Sequence, residues 1–211
     1  MRLKNIKGAT SIINASKYVV TNIKDYSTDI SKLFNNNNKI CLEIGMGKGD
    51  FIINTAINNP NINYIGLEKY PSVLVSVVKK LEKINIDNLK IICMDATNID
   101  EIFKKSISSL YLNFSDPWPK TRHSKRRLTS NIFLKKYDNI FKENFHIYQK
   151  TDNIDLFHFS LEEYVKHGCI LKDLSFNYHK SHKDIIKTEY ETKFSNLGFN
   201  INYVEVKKTL N

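Results

Sequence analysis

From about residue 39 onward, short β-branched runs alternate with stretches whose apolar positions recur at helical spacing. Lys39 to Ile44 reads as a buried strand, and Ile52, Ile53, Ala56 and Ile57 mark a helix over Phe51 to Ile57. Asn63 to Leu67 is a second strand, followed by a helix whose face carries Val73, Val77, Leu81 and Ile84. Leu89 to Met94, Leu110 to Phe114 and Phe145 to Gln149 read as three more strands. A helix over Ser130 to Phe141, capped by Thr129 or Ser130, separates the last two. Leu156 to Val165 is helical and stops near Gly168.

This alternation predicts an α/β fold with a parallel sheet covered on both faces. The tail breaks the pattern. Ile170 to Tyr178 reads as a strand, Tyr190, Phe194 and Leu197 as a helical stripe ended by Gly198, and Phe199 to Val206 as a last strand. One antiparallel edge fits this order. Before the alternation, residues 1 to about 20 read as a basic, mobile extension, and Asn35 to Asn38 as a loop between an N-terminal helix and the first strand. The expected organisation is an N-terminal extension and helix over 1–38, then a single domain over 39–211.

Charge narrows the partners. Lys and Arg number 32 against 22 Asp and Glu, a net charge of +10 that favours a polyanionic partner such as nucleic acid. No apolar run approaches the ~20 residues that cross a bilayer, and the N-terminus lacks an apolar leader core, so a cytoplasmic protein is expected. Cys41, Cys93 and Cys169 are widely spaced and read as core hydrophobes. His179 and His182, three apart without a third ligand nearby, give no reason to expect a metal.

The first strand runs into Glu43-Ile44-Gly45-Met46-Gly47-Lys48-Gly49-Asp50. Glycines between a strand and a helix let backbone approach a ligand closely. A dinucleotide loop would place a third glycine where Asp50 stands. Glu43 and Asp50 would repel phosphate but suit a ligand that carries an ammonium and a sulfonium, which points to S-adenosylmethionine. Glu68 ends the second strand, placed to accept hydrogen bonds from ribose hydroxyls, and Asp95 ends the third, within reach of an adenine amine.

The fourth strand leads into Asn113-Phe114-Ser115-Asp116-Pro117-Trp118-Pro119-Lys120, a stiff turn holding the only Trp of the chain. From Lys120 to Arg127 there are five cations plus His123, a run that reads as a phosphate clamp beside a ligand edge.

Together with Thr188-Glu189-Tyr190-Glu191-x-Lys193-Phe194, these motifs resemble the bacterial tRNA (guanine-N7-)-methyltransferase family, in order from about residue 39 to the C-terminus. The Arg-x-Arg and Trp expected near the N-terminus of that family are absent. The resemblance implies a Rossmann-like class I methyltransferase fold with a seven-stranded, mostly parallel sheet and helices on both faces. It implies cofactor contacts at Glu43, Gly45, Gly47, Glu68, Asp95 and Asp116, and substrate contacts at Lys120, Asp152, Thr188 and Glu191. It implies RNA contacts at Arg122, His123, Lys125, Arg126 and Arg127, and the guanosine at position 46 of the tRNA variable loop as target.

Guanine N7 carries a neutral lone pair, so methylation there needs positioning and desolvation more than a base. Asp116 is the expected catalytic residue, through the charge that develops on the ring or through the guanine Watson–Crick edge, with Asp152 as the second candidate. The expected assembly is a monomer or a homodimer. Two other readings compete: an amino-methyltransferase acting on adenine or glutamine, whose prolines would be adjacent rather than split by Trp118, and a non-catalytic RNA-binding protein on the same fold.

Overall fold

The computed structural model describes residues 6–210. Helix α1 (Ala9–Asn14) precedes two 3-10 turns, Ile23–Tyr26 and Ile30–Leu33. Then follow β1 (Ile40–Ile44), α2 (Asp50–Asn58), β2 (Asn63–Glu68), α3 (Pro71–Leu81), β3 (Leu89–Cys93), α4 (Ile99–Ile102) and β4 (Ser109–Asn113). A 3-10 turn over Thr121–Arg126 leads to α5 (Asn131–Ile140), β5 (Asn144–Thr151) and α6 (Ile154–Lys166). The chain ends with β6 (Ile170–Ser175), α7 (Tyr178–Ser181), α8 (Glu189–Asn196) and β7 (Asn202–Thr209).

The seven strands form one sheet in the order β3-β2-β1-β4-β5-β7-β6, with β7 antiparallel to both neighbours and every other pairing parallel. This is the expected α/β architecture, except that the antiparallel strand, β7, lies between β5 and β6 and not at the edge. Successive strand residues face opposite sides. Leu42, Ile44, Ile65 and Leu67 enter one core with Phe103, Tyr137 and Phe157, while Cys41, Tyr64 and Ile91 enter the other with Ile53, Leu74 and Val77. The connections reverse direction between β1 and β4, which opens a crevice at their C-terminal ends.

Four other expectations change. First, residues 9–19 are not a loose extension. Ile13, Tyr18 and Val19 are buried against the α3 side of the sheet. Val20 N donates to Ile91 O at 2.9 Å and Ile91 N to Tyr18 O at 2.8 Å, so this segment covers the β3 edge. Residues 1–5 of the expected extension lie outside the described residues, and 3-10 turns stand where a helix was expected before Asn35. Second, β6 stops at Ser175 because Ser175 Oγ accepts from Asn177 N and the chain turns into α7. β7 in turn starts three residues later than expected.

Third, Ser130 takes the expected N-cap position of α5, but its side chain does not cap the helix. Ser130 Oγ donates to Lys125 O, Thr129 Oγ1 bonds Ser160 Oγ, and Asn131 N donates instead to Glu163 Oε2 at 2.8 Å. Fourth, α8 does not bury the Tyr190, Phe194, Leu197 stripe. Leu197 is 63% exposed and Tyr190 is exposed, while Glu191 is the buried residue of the helix. Among the cysteines, Cys41 and Cys169 are buried and Cys93 is partly so.

Candidate active site

Side chains from five elements converge at the β1/β4 crevice. The bend after β1 is left-handed at Gly45 (φ 74°) and Gly47 (φ 55°), a conformation glycine adopts freely. A Cβ added at either would meet nothing within 4 Å, so the bend is an open cradle. Glu68 fixes its shape from β2. One carboxylate oxygen accepts from Gly47 N at 3.2 Å and the other from Tyr70 N at 3.0 Å. Gly66, mid-strand in β2, lets Met46 pack on the backbone, since a Cβ there would lie 2.1 Å from Met46 Sδ.

Glu43 is 1% exposed near the end of β1. Asn113 Nδ2 on β4 donates to Glu43 Oε1 at 2.7 Å, tying the two strands at the crevice, and Glu43 Oε2 has no partner among the described residues. Burial pushes the Glu43 carboxyl up to about 7, with the Glu68 charge adding and the Asn113 hydrogen bond and Lys150 charge opposing. The raised value means that the folded protein holds a proton the unfolded chain releases from about pH 4.5 upward. Stability from this group is therefore present below that range and lost as pH rises toward 7. Thermal melts should show a smaller fall from pH 5 to pH 7.5 in Glu43→Gln than in the native chain; identical falls would contradict the assignment.

Asp95 and Asp116 lie exposed at the ends of β3 and β4. The Asp95 side chain accepts from Thr97 N at 2.9 Å and from the Thr97 hydroxyl, and these bonds hold its carboxyl below the usual range. Lys69, next to Glu68, stands near both carboxylates. Burial opposes its charge, but the Tyr70 hydroxyl and the charges of Asp116 and Asp95 raise its pKa.

The turn carrying Asp116 is strained. Phe114 (φ 53°) and Trp118 (φ 42°) both adopt left-handed backbone that bulky residues avoid. Phe114 N donates to Lys150 O at 2.8 Å, and the Phe114 ring lies 5.0 Å from that of Tyr190 on α8.

Helix α8 closes one side of the crevice. Lys48 Nζ bonds Glu189 Oε1 at 2.6 Å, and Tyr190 Oη donates to Asp152 Oδ2 at 3.1 Å, so Asp152 faces this side. Thr188 and Glu191 stand at the start of this helix and bond each other. They form the capping box of α8: Glu191 N donates to Thr188 Oγ1 at 2.8 Å, and Thr188 N to Glu191 Oε2 at 3.3 Å. Glu191 is 0% exposed, and its carboxylate accepts from Lys150 Nζ at 2.6 Å and lies 2.8 Å from His179 Nε2. Lys150, 5% exposed on β5, also sits 4.9 Å from the Phe51 ring.

The cationic run divides. Lys120, Arg122 and Lys125 are exposed beside the Asp116 turn. His123 and Arg126 contact the Trp118 ring, and Arg127 is half-buried against the turn backbone.

Sequence reasoning missed Asn113, Lys69 and Lys150. A polar residue closing an apolar strand is the signal for Asn113. A lysine in a buried strand signals a partner for Lys150, but that partner lies 41 residues away. Among the described residues no group of three or more His, Cys, Asp or Glu could hold a metal, and no helix is long and apolar enough to cross a membrane. His182 is paired with Asp173 instead.

A family model described as "Putative methyltransferase" matches residues 37–203. The tRNA (guanine-N(7)-)-methyltransferase of Lachnoclostridium phytofermentans is 49% identical over 201 residues, covering 94% of this chain and 94% of that protein. The enzyme of that name from Bacillus subtilis is 43% identical over 190 residues, covering 89% of each. Among solved structures, the 16S rRNA methyltransferase KamB superposes with a TM-score of 0.65 at 13% identity, covering 87% of this chain and 93% of that one. A SAM-dependent methyltransferase from Aquifex aeolicus does so with a TM-score of 0.56 at 9% identity, covering 94% and 97%. At such identities the structures share the fold alone, whereas the sequence relatives, at 43–49% identity over most of both chains, show the family. The chain belongs to the tRNA (guanine-N(7)-)-methyltransferase family, built on the class I methyltransferase fold.

Proposed function

We propose that this chain transfers a methyl group from S-adenosylmethionine to N7 of a guanosine in tRNA, at position 46 of the variable loop, acting in the cytoplasm as a monomer or a homodimer over a single catalytic domain. One observation carries the reading. The Asp116 turn stands across the β1/β4 crevice from the open glycine bend, with exposed Lys120, Arg122 and Lys125 beside it. A methyl donor and a polyanion can therefore meet at one carboxylate. The sequence relatives at 43–49% identity carry the name tRNA (guanine-N(7)-)-methyltransferase, which supports the same reaction.

The residues fit the donor. The bend at Gly45 and Gly47 leaves room where side chains would stand, and Glu68, Asp95 and Asp116 place carboxylates at the neighbouring strand ends that favour a cationic ligand, with Glu43 buried near the end of β1. Glu68, already accepting two backbone N–H bonds, keeps lone pairs for ribose hydroxyls, and Asp95 stands at the adenine side. When bound, S-adenosylmethionine supplies a methyl carbon that bonds to N7 as its carbon–sulfur bond breaks, the electron pair staying on sulfur.

The chain's own residues orient and shield. N7 needs no deprotonation, so no side chain has to act as base in the attack. Asp116 places negative charge where the guanine ring becomes cationic. Asp152, oriented by Tyr190 Oη, and Lys120 border the same space and position the nucleotide. Helix α8, held through Glu191, excludes water from one side.

Incubating the purified protein with labelled S-adenosylmethionine and unmodified tRNA, then separating the nucleosides, tests the reading. Label in 7-methylguanosine is expected. Label in an N6-methyl purine would favour an amino-methyltransferase, and tight tRNA binding without product would favour a non-catalytic binder. Neutralising Arg122 and Lys125 together should flatten the dependence of log Kd on log salt by roughly 1.5, at about 0.7 to 0.9 per phosphate contact. Filter binding at four salt concentrations reads this, and an unchanged slope would remove both from the RNA surface.

A further inference from the structure

The run Arg122 to Arg127 reads along the chain as one cationic face, but Arg127 points inward. Its Nε donates to Pro117 O at 2.9 Å and its Nη2 donates to Trp118 O at 3.2 Å. The guanidinium carbon lies 4.3 Å from the centre of the Phe159 ring on α6. Both accepting carbonyls belong to the turn that carries Asp116, and one of them to Trp118, whose left-handed backbone is held against its own preference. Conformations of this kind persist only where surrounding contacts over-determine them. A rigid fork of N–H donors matches two neighbouring carbonyls, whereas an ammonium is a point charge that satisfies them poorly. The fork and the ring beneath it supply that restraint.

We infer that Arg127 is a positioning residue for methyl transfer, locking the Asp116–Trp118 turn through two backbone carbonyls rather than binding an RNA phosphate. The inference rests on the proposed reaction at Asp116. It corrects the expectation that all five positions meet RNA. A displacement of about 1 Å at a reacting centre can cost up to 10²-fold in rate, so the effect belongs in the chemical step.

Arg127→Lys separates the two roles, since it keeps the charge and removes the fork. Trp118 is the only Trp of the chain, so its fluorescence reports the turn directly. In Arg127→Lys, acrylamide quenching of Trp118 should rise, its emission should shift, and the single-turnover rate at saturating tRNA and donor should fall about 10- to 100-fold. In Arg127→Gln the rate should fall likewise, with the salt slope of tRNA binding unchanged. Phe159→Leu, which loosens the guanidinium without altering charge, should move Trp118 in the same direction and keeps the test alive if Arg127→Gln folds poorly. A wild-type rate and unmoved Trp118 emission in Arg127→Lys would overturn the inference. So would a salt slope lowered by about 0.7 to 0.9 in Arg127→Gln. Absence of 7-methylguanosine from the native enzyme's product would instead sink the proposed function, leaving the fluorescence result to judge the turn.

Discussion

Asp116→Asn is expected to bind tRNA with the native affinity and salt dependence while its single-turnover methyl transfer falls by about 10²- to 10³-fold. Asn and Asp share a shape, so the turn between Pro117 and Phe114 should stay as it is. What changes is charge at the point where the guanine ring becomes cationic. An interaction made mainly in the transition state lowers kcat and kcat/KM together and leaves ground-state binding alone. Rapid-quench measurement with saturating donor reads the chemical step, and filter binding reads affinity. If Asp116 instead grips the Watson–Crick edge of the guanine, the amide changes the hydrogen-bond pattern, and KM for tRNA rises with the loss of rate. A fully active variant would remove Asp116 from the mechanism.

Breaking the Lys150–Glu191 pair should have the largest effect on stability. Both partners are buried, and Nζ and Oε2 stand 2.6 Å apart. Removing Glu191 leaves Lys150 as a buried charge without its carboxylate, so Glu191→Ala should lose about 3–5 kcal/mol, and Lys150→Ala, in which Glu191 keeps His179 and the Thr188 N–H, should lose less. Replacing both by apolar residues of similar volume, as in Lys150→Met with Glu191→Leu, should cost less than either single change. Urea melts of the three proteins read the comparison. Burial opposes the Lys150 charge and depresses its pKa, and the Glu191 carboxylate counters that. Because Glu191 also anchors the cap of α8, each single change should loosen the wall formed by Glu189 and Tyr190 over the crevice. An Ala variant of Glu191 with native stability and only a raised KM would contradict this and restore Glu191 as a direct substrate ligand.

The parallel strands were legible because they are largely buried on both faces. Such strands read as short, mostly apolar runs, interrupted only by Glu43 in Ile40–Ile44 and by Lys90 in Leu89–Cys93, and both lie within one residue of the expected bounds. The glycine bend and the carboxylates at strand ends were legible too, since the topology puts every parallel strand's C-terminal end on one edge. The misses share a cause: each depends on a partner remote in sequence. Tyr18 and Val19 are ordinary residues until Ile91 offers a strand edge. Glu191 looks like one more exposed helical charge until Lys150 and His179 surround it. Arg127 looks like solvent-facing charge until two carbonyls ten and nine residues upstream need donors. The left-handed backbone at Phe114 and Trp118 leaves no local trace, because neither residue favours it.

Where the methyl group lands is the most direct test of this reaction. A 5′-labelled tRNA transcript treated with the protein and S-adenosylmethionine, then with borohydride and aniline, is cut only where 7-methylguanosine has formed. One cut at the guanosine of position 46 is the predicted result. An uncut transcript, or methyl label recovered in another nucleoside, would contradict it.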